Sequence, residues 1–198
     1  IQADAPEKGL AVRQALSYAI DRKAILDKLY SGNGTLMHGA FFEFPSNPQL
    51  VDPAWQLPTY DVAKAKQLLA QGGYPNGFDV IFPIYEAASG GAILSEADAG
   101  YLEAIGLKVK RQVMDYSGVV NPAIRAKNTQ GWLYVSASSP RETVLAIENS
   151  YLLTSHLARV VDPVITTAAA KMNAEPDETK RYALARELIG QVMAKQLG

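Results

Sequence analysis

The sequence contains no cysteine, which removes disulfides, thiolate nucleophiles and thiolate metal sites while suiting both reducing and oxidising compartments. Histidine is almost as scarce. His38 and His156 are the only two, and neither belongs to a spacing such as His-Glu-x-x-His, so no metal site is readable and no cofactor is expected. No excess of one charge exists either: 19 basic and 20 acidic residues give a net charge of −1. They are scattered along the chain, which leaves no electrostatic footprint for nucleic acid or anionic lipid. No run approaches the roughly 20 apolar residues that cross a bilayer, and Ile1-Gln2-Ala3-Asp4 lacks the charged n-region and apolar core of a leader. The GxSxG elbow, the P-loop and GxGxxG are all missing, and the glycine pairs at 72–73 and 90–91 read as helix ends and turns. Neighbouring carboxylates, Glu96 with Asp98 and Asp177 with Glu178, fall on stretches expected to be solvated helix surface. Such pairs act as acid and base only when burial drives their pKa values apart. An enzyme is not expected.

What is present is an ordinary globular composition: 198 residues, 48% hydrophobic and 20% charged, enough for one core. Val12, Leu16, Ala19, Ile20, Ile25, Leu26 and Tyr30 recur at helical spacing, and Asp21 breaks the run into two short helices by capping the second. Residues 33–60 carry Pro45, Pro48, Pro53 and Pro58 among Phe41, Phe42, Phe44 and Trp55. They read as a long loop that either wraps a core or touches a ligand. Asp61 caps a helix to Gln71, and Pro75-Asn76-Gly77 turns the chain into a strand near 78–85. A helix follows over 91–105, with Ile93, Leu94, Ala97, Tyr101, Leu102 and Ile105 as its apolar stripe. A strand near 107–114 completes a βαβ unit with a parallel pair. A short helix over 119–127, a third strand over 131–135, and helices over 140–149, 163–172 and 177–196 complete the expected α/β fold.

Three segments carry a resemblance. Val12-Arg13-Gln14-Ala15-Leu16-Ser17-Tyr18-Ala19-Ile20-Asp21-Arg22 resembles a "VRQAL-x-x-AID-R" helix. Tyr60 to Leu69 with Gly73-Tyr74-Pro75-Asn76-Gly77-Phe78 is similar to "YD-x-x-KA-x-x-LL … GYP-x-GF". Leu102-Glu103-Ala104-Ile105-Gly106-Leu107-Lys108-Val109 resembles "L-x-x-IGI-x-V", with Leu107 a mild departure. Gly131-Trp132 and Asp177 to Arg181 extend the likeness over nearly the whole chain. Together they are the pattern of bacterial solute-binding protein family 5, the peptide and nickel class.

The resemblance implies a type II, cluster C-like periplasmic-binding-protein fold with two lobes, of which residues 1–198 form a single α/β lobe, the second, with a small mixed sheet flanked by helices. The first lobe, the hinge strands and the signal peptide would then lie outside this sequence. It further implies a monomeric protein, periplasmic or otherwise extracytoplasmic, that passes a small solute or peptide to an ABC transporter permease. The other reading is a stand-alone module that binds a protein partner. In peptide-binding relatives a Trp-containing strand runs into a loop whose aspartate receives the peptide's amino terminus. Here residues 131–141 hold no acidic residue, a departure that speaks against ordinary peptides. Trp132, Tyr134, Ser136, Ser138 and Arg141 are the candidate ligand residues, supplying neutral donors and acceptors and one carboxylate partner. Tyr85 joins them because ligands of α/β sheets gather beyond the carboxyl ends of strands.

Overall fold

A computed structural model describes residues 6–37, 50, 52, 54–86, 91–135 and 162–195. The chain divides into two compact units, Ile1–Leu36 with Pro58–Ala137, and Met37–Leu57 with Ser138–Gly198.

The first unit is assembled by its motifs. Helices α1 (Pro6–Ala19) and α2 (Arg22–Leu29) break at Asp21, whose carboxylate accepts the Ala24 amide at 2.9 Å and satisfies a free first-turn donor. Asp61 does the same for α3 (Val62–Gln71), accepting from Lys64 N, while its own amide donates to the Tyr18 carbonyl. Val12, Ala15 and Ala19 of α1 are buried with Ala65, Leu68 and Leu69 of α3 in one core. The helices approach closely at Gly72, where a Cβ would lie 2.5 Å from Val12 Cγ2. Gly77 is tighter still. It sits at φ +69°, and an added Cβ would fall 1.8 Å from the Gly106 carbonyl oxygen, so only glycine fits.

Strand β1 (Asp79–Ile84) pairs in parallel with β2 (Lys108–Val113), Asp79 opposite Lys108 and Ile84 opposite Val113, with α4 (Gly91–Ala104) as the crossover. Val80, Phe82 and Ile84 alternate into the core, where they meet Ala99, Leu102, Ile105 and Leu107. The third strand is shorter than its sequence suggests. Among the described residues it makes one parallel bridge, Trp132 to Ile81, through Ile81 N to Gly131 O and Leu133 N to Ile81 O. In that register the next rung needs the amide of residue 83 as donor, and Pro83 has none. Beyond β2, a π-helical turn (Tyr116–Val120) capped by Asp115 leads into α5 (Asn121–Arg125), where a single helix over 119–127 is expected from sequence.

The second unit is helical among its described residues. Asp162 caps α6 (Pro163–Ala174), accepting from Val164 N and Ile165 N, and Asp177 caps α7 (Glu178–Ala194). Ile165, Ala169 and Met172 of α6 interlock with Ala185, Leu188, Ile189 and Val192 of α7. Leu50, 1% exposed, and Trp55 pack on this core, so at these two positions the 33–60 loop wraps. Phe41, Phe42 and Phe44, and the helix expected over 140–149, lie outside the described residues.

Candidate functional site

Parallel strands deliver their carboxyl ends to one side of a sheet, and there an aromatic cluster forms. Tyr85 follows β1, Met114 and Tyr116 follow β2, and Trp132, Tyr134 and Val135 come from the third strand. Together they surround buried Val120 with Ile124. The period of two explains the placement: Trp132 and Tyr134 share this cluster, while Leu133 packs on the core of the opposite face. Tyr85 and Tyr116 rings lie 5.3 Å apart, inclined by 32°. Tyr85 is only 5% exposed, and its hydroxyl donates to the Val135 carbonyl. Trp132, Tyr134 and Tyr116 are half-buried.

Three of the six candidate residues, Tyr85, Trp132 and Tyr134, are thus brought together. Ser136, Ser138 and Arg141 lie outside the described residues. The chemistry on hand is that of rings and hydroxyls: apolar faces for a planar or ring-bearing solute and neutral polar edges around them.

A second polar centre contradicts the expectation of a solvated surface at Asp98. Burial pushes its carboxyl up to about 6, against the opposing pull of the Arg22 charge. Asp98 Oδ1 is enclosed and makes no hydrogen bond among the described residues. Arg22 spends its donors elsewhere, with Nη1 on the Ser17 carbonyl at 2.8 Å and Nη2 on Ser17 Oγ at 3.2 Å, which closes the carboxyl end of α1. Its guanidinium pKa is lowered by burial, with Asp98 acting in the other direction. The inward face of α4 is rotated from the expected stripe. Gly91, Ser95, Ala99 and Leu102 are the buried residues, while Ile93 is 66% exposed. Asp98 lies three residues after Ser95 and four before Leu102, so the helical period would have found it had the stripe been phased on the small residues.

On the second unit, Asp52, Trp55, Thr179, Tyr182, Ala183, Arg186, Glu187 and Gly190 line an open groove of about 790 Å³. An Arg186–Asp52 ion pair at 3.3 Å borders it. Among the described residues no group of His, Cys, Asp or Glu could hold a metal ion, and no helix is long and apolar enough to cross a membrane.

The sequence model of the bacterial extracellular solute-binding proteins, family 5 middle, matches residues 3–146. Heme-binding protein A of Haemophilus influenzae is 43% identical over 88 residues, which are 43% of this chain and 16% of that protein. The glutathione-binding protein GsiB of Pectobacterium atrosepticum is 33% identical over 106 residues, 52% of this chain and 20% of that one. Among solved structures, the PBP AgaA in complex with agropinic acid from A. tumefaciens R10 aligns with a TM-score of 0.78 at 26% identity, covering 95% of this chain and 39% of AgaA. A dipeptide binding protein from Pseudoalteromonas aligns with a TM-score of 0.79 at 22% identity, covering 95% of this chain and 38% of that one. The fold is that of the periplasmic binding proteins, and the chain spans no more than about two fifths of the length of these relatives.

Proposed function

Since the chain belongs to the family 5 bacterial extracellular solute-binding proteins, we propose that it forms one lobe of a two-lobed extracytoplasmic receptor that delivers a small solute to an ABC transporter permease. Lobe closure around the solute, not bond making, is the working event. Trp132, Tyr134, Ser136, Ser138 and Arg141 meet the solute, with Tyr85 behind them.

The observation that carries the ligand class is the aromatic cluster at the strand ends, together with a segment, 131–141, that has no carboxylate and ends on an arginine. An ammonium group finds no partner in that segment, and a buried unpaired ion costs several kcal/mol on the order-of-magnitude scale. Neutral polar groups find hydroxyls, and a carboxylate finds Arg141. Uncharged or anionic solutes are therefore favoured over peptides with a free amino terminus. Heme, the ligand named for one relative, carries carboxylates and no ammonium, which supports that choice of class, whereas glutathione and Met-Leu carry both groups.

The test uses the complete two-lobed protein and calorimetry with hemin, Met-Leu and N-acetyl-Met-Leu. Hemin and the acetylated dipeptide are expected to bind at least about tenfold tighter than the free amine, a difference of about 1.4 kcal/mol. A preference for the free amine overturns the ligand class, and binding of none of the three overturns the cleft reading of the cluster.

A further inference from the structure

The third strand is tied to β1 by two backbone hydrogen bonds around Ile81, at 2.9 and 3.0 Å, and Pro83 cannot donate the next one. Yet this loosely held strand carries Trp132 and Tyr134, two of the half-buried aromatics of the cluster. Two residues past the broken rung, the Tyr85 hydroxyl bonds the Val135 carbonyl, a link across 50 residues of sequence. The Tyr85 ring is clamped in turn, buried against Tyr116 and beside Val120.

We infer that Tyr85 is a positioning residue: its phenol ties down the strand at Val135, one rung beyond the bond to Leu133 that Pro83 cannot donate, and thereby fixes the height and angle at which Trp132 and Tyr134 present their rings. The inference rests on the reading that these rings meet the solute. With so little of its own surface exposed, Tyr85 has scant contact to offer a ligand. A side chain also suits this task better than a backbone rung, because the strand can leave the sheet while its end stays anchored to a rigid, buried ring.

Tyr85→Phe in the complete two-lobed protein keeps the ring and removes only the donor. Amide exchange of residues 133–135 in the ligand-free variant is expected to quicken about tenfold, and its hemin affinity to fall about five- to tenfold, the scale of one lost hydrogen bond. Val12→Ala, in the α1–α3 core and outside the cluster, serves as the packing control. It loosens the same unit without touching the cluster or the Tyr85 donor, and is expected to lower Tm at least as much as Tyr85→Phe while changing hemin affinity less than about twofold. Unchanged exchange in Tyr85→Phe overturns the inference, as does quickened exchange with unchanged hemin affinity, or an affinity loss that Val12→Ala matches. A parent protein that binds neither hemin nor N-acetyl-Met-Leu removes the cleft reading and this inference with it. A parent that binds and a variant that binds equally well removes the inference alone.

Discussion

Gly77 and Gly190 occupy the two compact units under opposite constraints. At Gly77 the backbone is left-handed and a Cβ would collide with the Gly106 carbonyl, whereas at Gly190, inside α7, a Cβ would rest 3.7 Å from Trp55 Cζ2 in ordinary contact. The first unit is closed by backbone meeting backbone, where the turn at 73–77 lies on the 105–107 junction and Lys108 N bonds Phe78 O. The second is closed by side chains interlocking between two helices. Close backbone contacts admit few residue types, and interlocked side chains admit many of similar volume. This is why the first unit supplies the sharpest motifs of the chain.

The largest expected effect follows from that contrast. Gly77→Ala costs about 1–2 kcal/mol for the left-handed backbone alone, and displacing the 105–107 junction raises the loss beyond about 3 kcal/mol. Gly190→Ala, by contrast, is expected to gain about 0.5–1 kcal/mol from the better helix former. Urea unfolding of the two variants measures both, and a Gly77→Ala protein as stable as the parent breaks the comparison.

Two aspartates sharpen it. Asp98 of the first unit has its carboxyl raised to about 6 by burial, while the Asp162 carboxyl of the second is lowered. Burial pushes Asp162 up, but the Lys195 hydrogen bond and the amides of Ile165 and Val164 outweigh it. The signs of their pH dependence are therefore opposite. A raised carboxyl makes the native state bind more protons, so the Asp98 penalty is absent below its unfolded value of 3.8 and grows as pH rises to about 6. Asp98→Asn is expected to stabilise by as much as about 3 kcal/mol at pH 7.5, where the carboxyl is ionised in both the folded and the unfolded chain and the whole penalty is felt, and by little at pH 4. Loss of the charge that faces Arg22 limits the gain, and Asp21, Tyr60 and Tyr101 are the other ionisable groups in that neighbourhood. Asp162→Asn keeps a competent cap but gives up the Lys195 ion pair at 2.6 Å, for an expected loss of about 0.5–1 kcal/mol. Its contribution is present above the unfolded value and fades as pH falls through the lowered folded one. Chemical denaturation across pH 4 to 7.5 distinguishes the two, and parallel slopes for both variants would remove the contrast.

Much of this arrangement is legible in the sequence where chemistry is local. The break at Asp21, the cap at Asp61, the turn at 75–77 and the parallel pair follow from spacing and from residues whose preferences are strong, while Trp132 and Tyr134 are candidates through the family resemblance alone. What escapes depends on neighbours distant in the chain. The phase of α4 is hidden because Ile93 is exposed while Ser95 and Ala99 are buried, and small residues weigh little in a hydrophobic pattern. The reach of the third strand turns on Pro83, about fifty residues away from the segment it shortens. The hydroxyl of Tyr85 finds its partner only when β1 and residues 131–135 lie side by side.

Arg111 of β2 tests the contrast at its weakest point, where it meets Glu96 and Glu103 of α4. Its Nε lies 2.7 Å from Glu96 Oε2, and its two terminal nitrogens take both oxygens of Glu103, one at 2.9 Å. The bidentate bond holds the Glu103 carboxyl below its usual range and raises the guanidinium. Good geometry is offset by solvent, for the Arg111 side chain is 32% exposed and Glu96 51%. Arg111→Met, which keeps an apolar stem over the sheet, is expected to lose less than about 1 kcal/mol. That loss should shrink between about 50 and 500 mM salt, as the Debye length falls from above about 10 Å to a few ångströms. Glu96 and Asp98 stand two residues apart, about 200° around the helix, so one carboxylate meets screened water and the other a buried guanidinium. The Asp98→Asn gain should accordingly be insensitive to the same salt. If it shrinks with salt as the Arg111 effect does, Asp98 is solvated after all and the buried charge of the first unit is lost from the comparison.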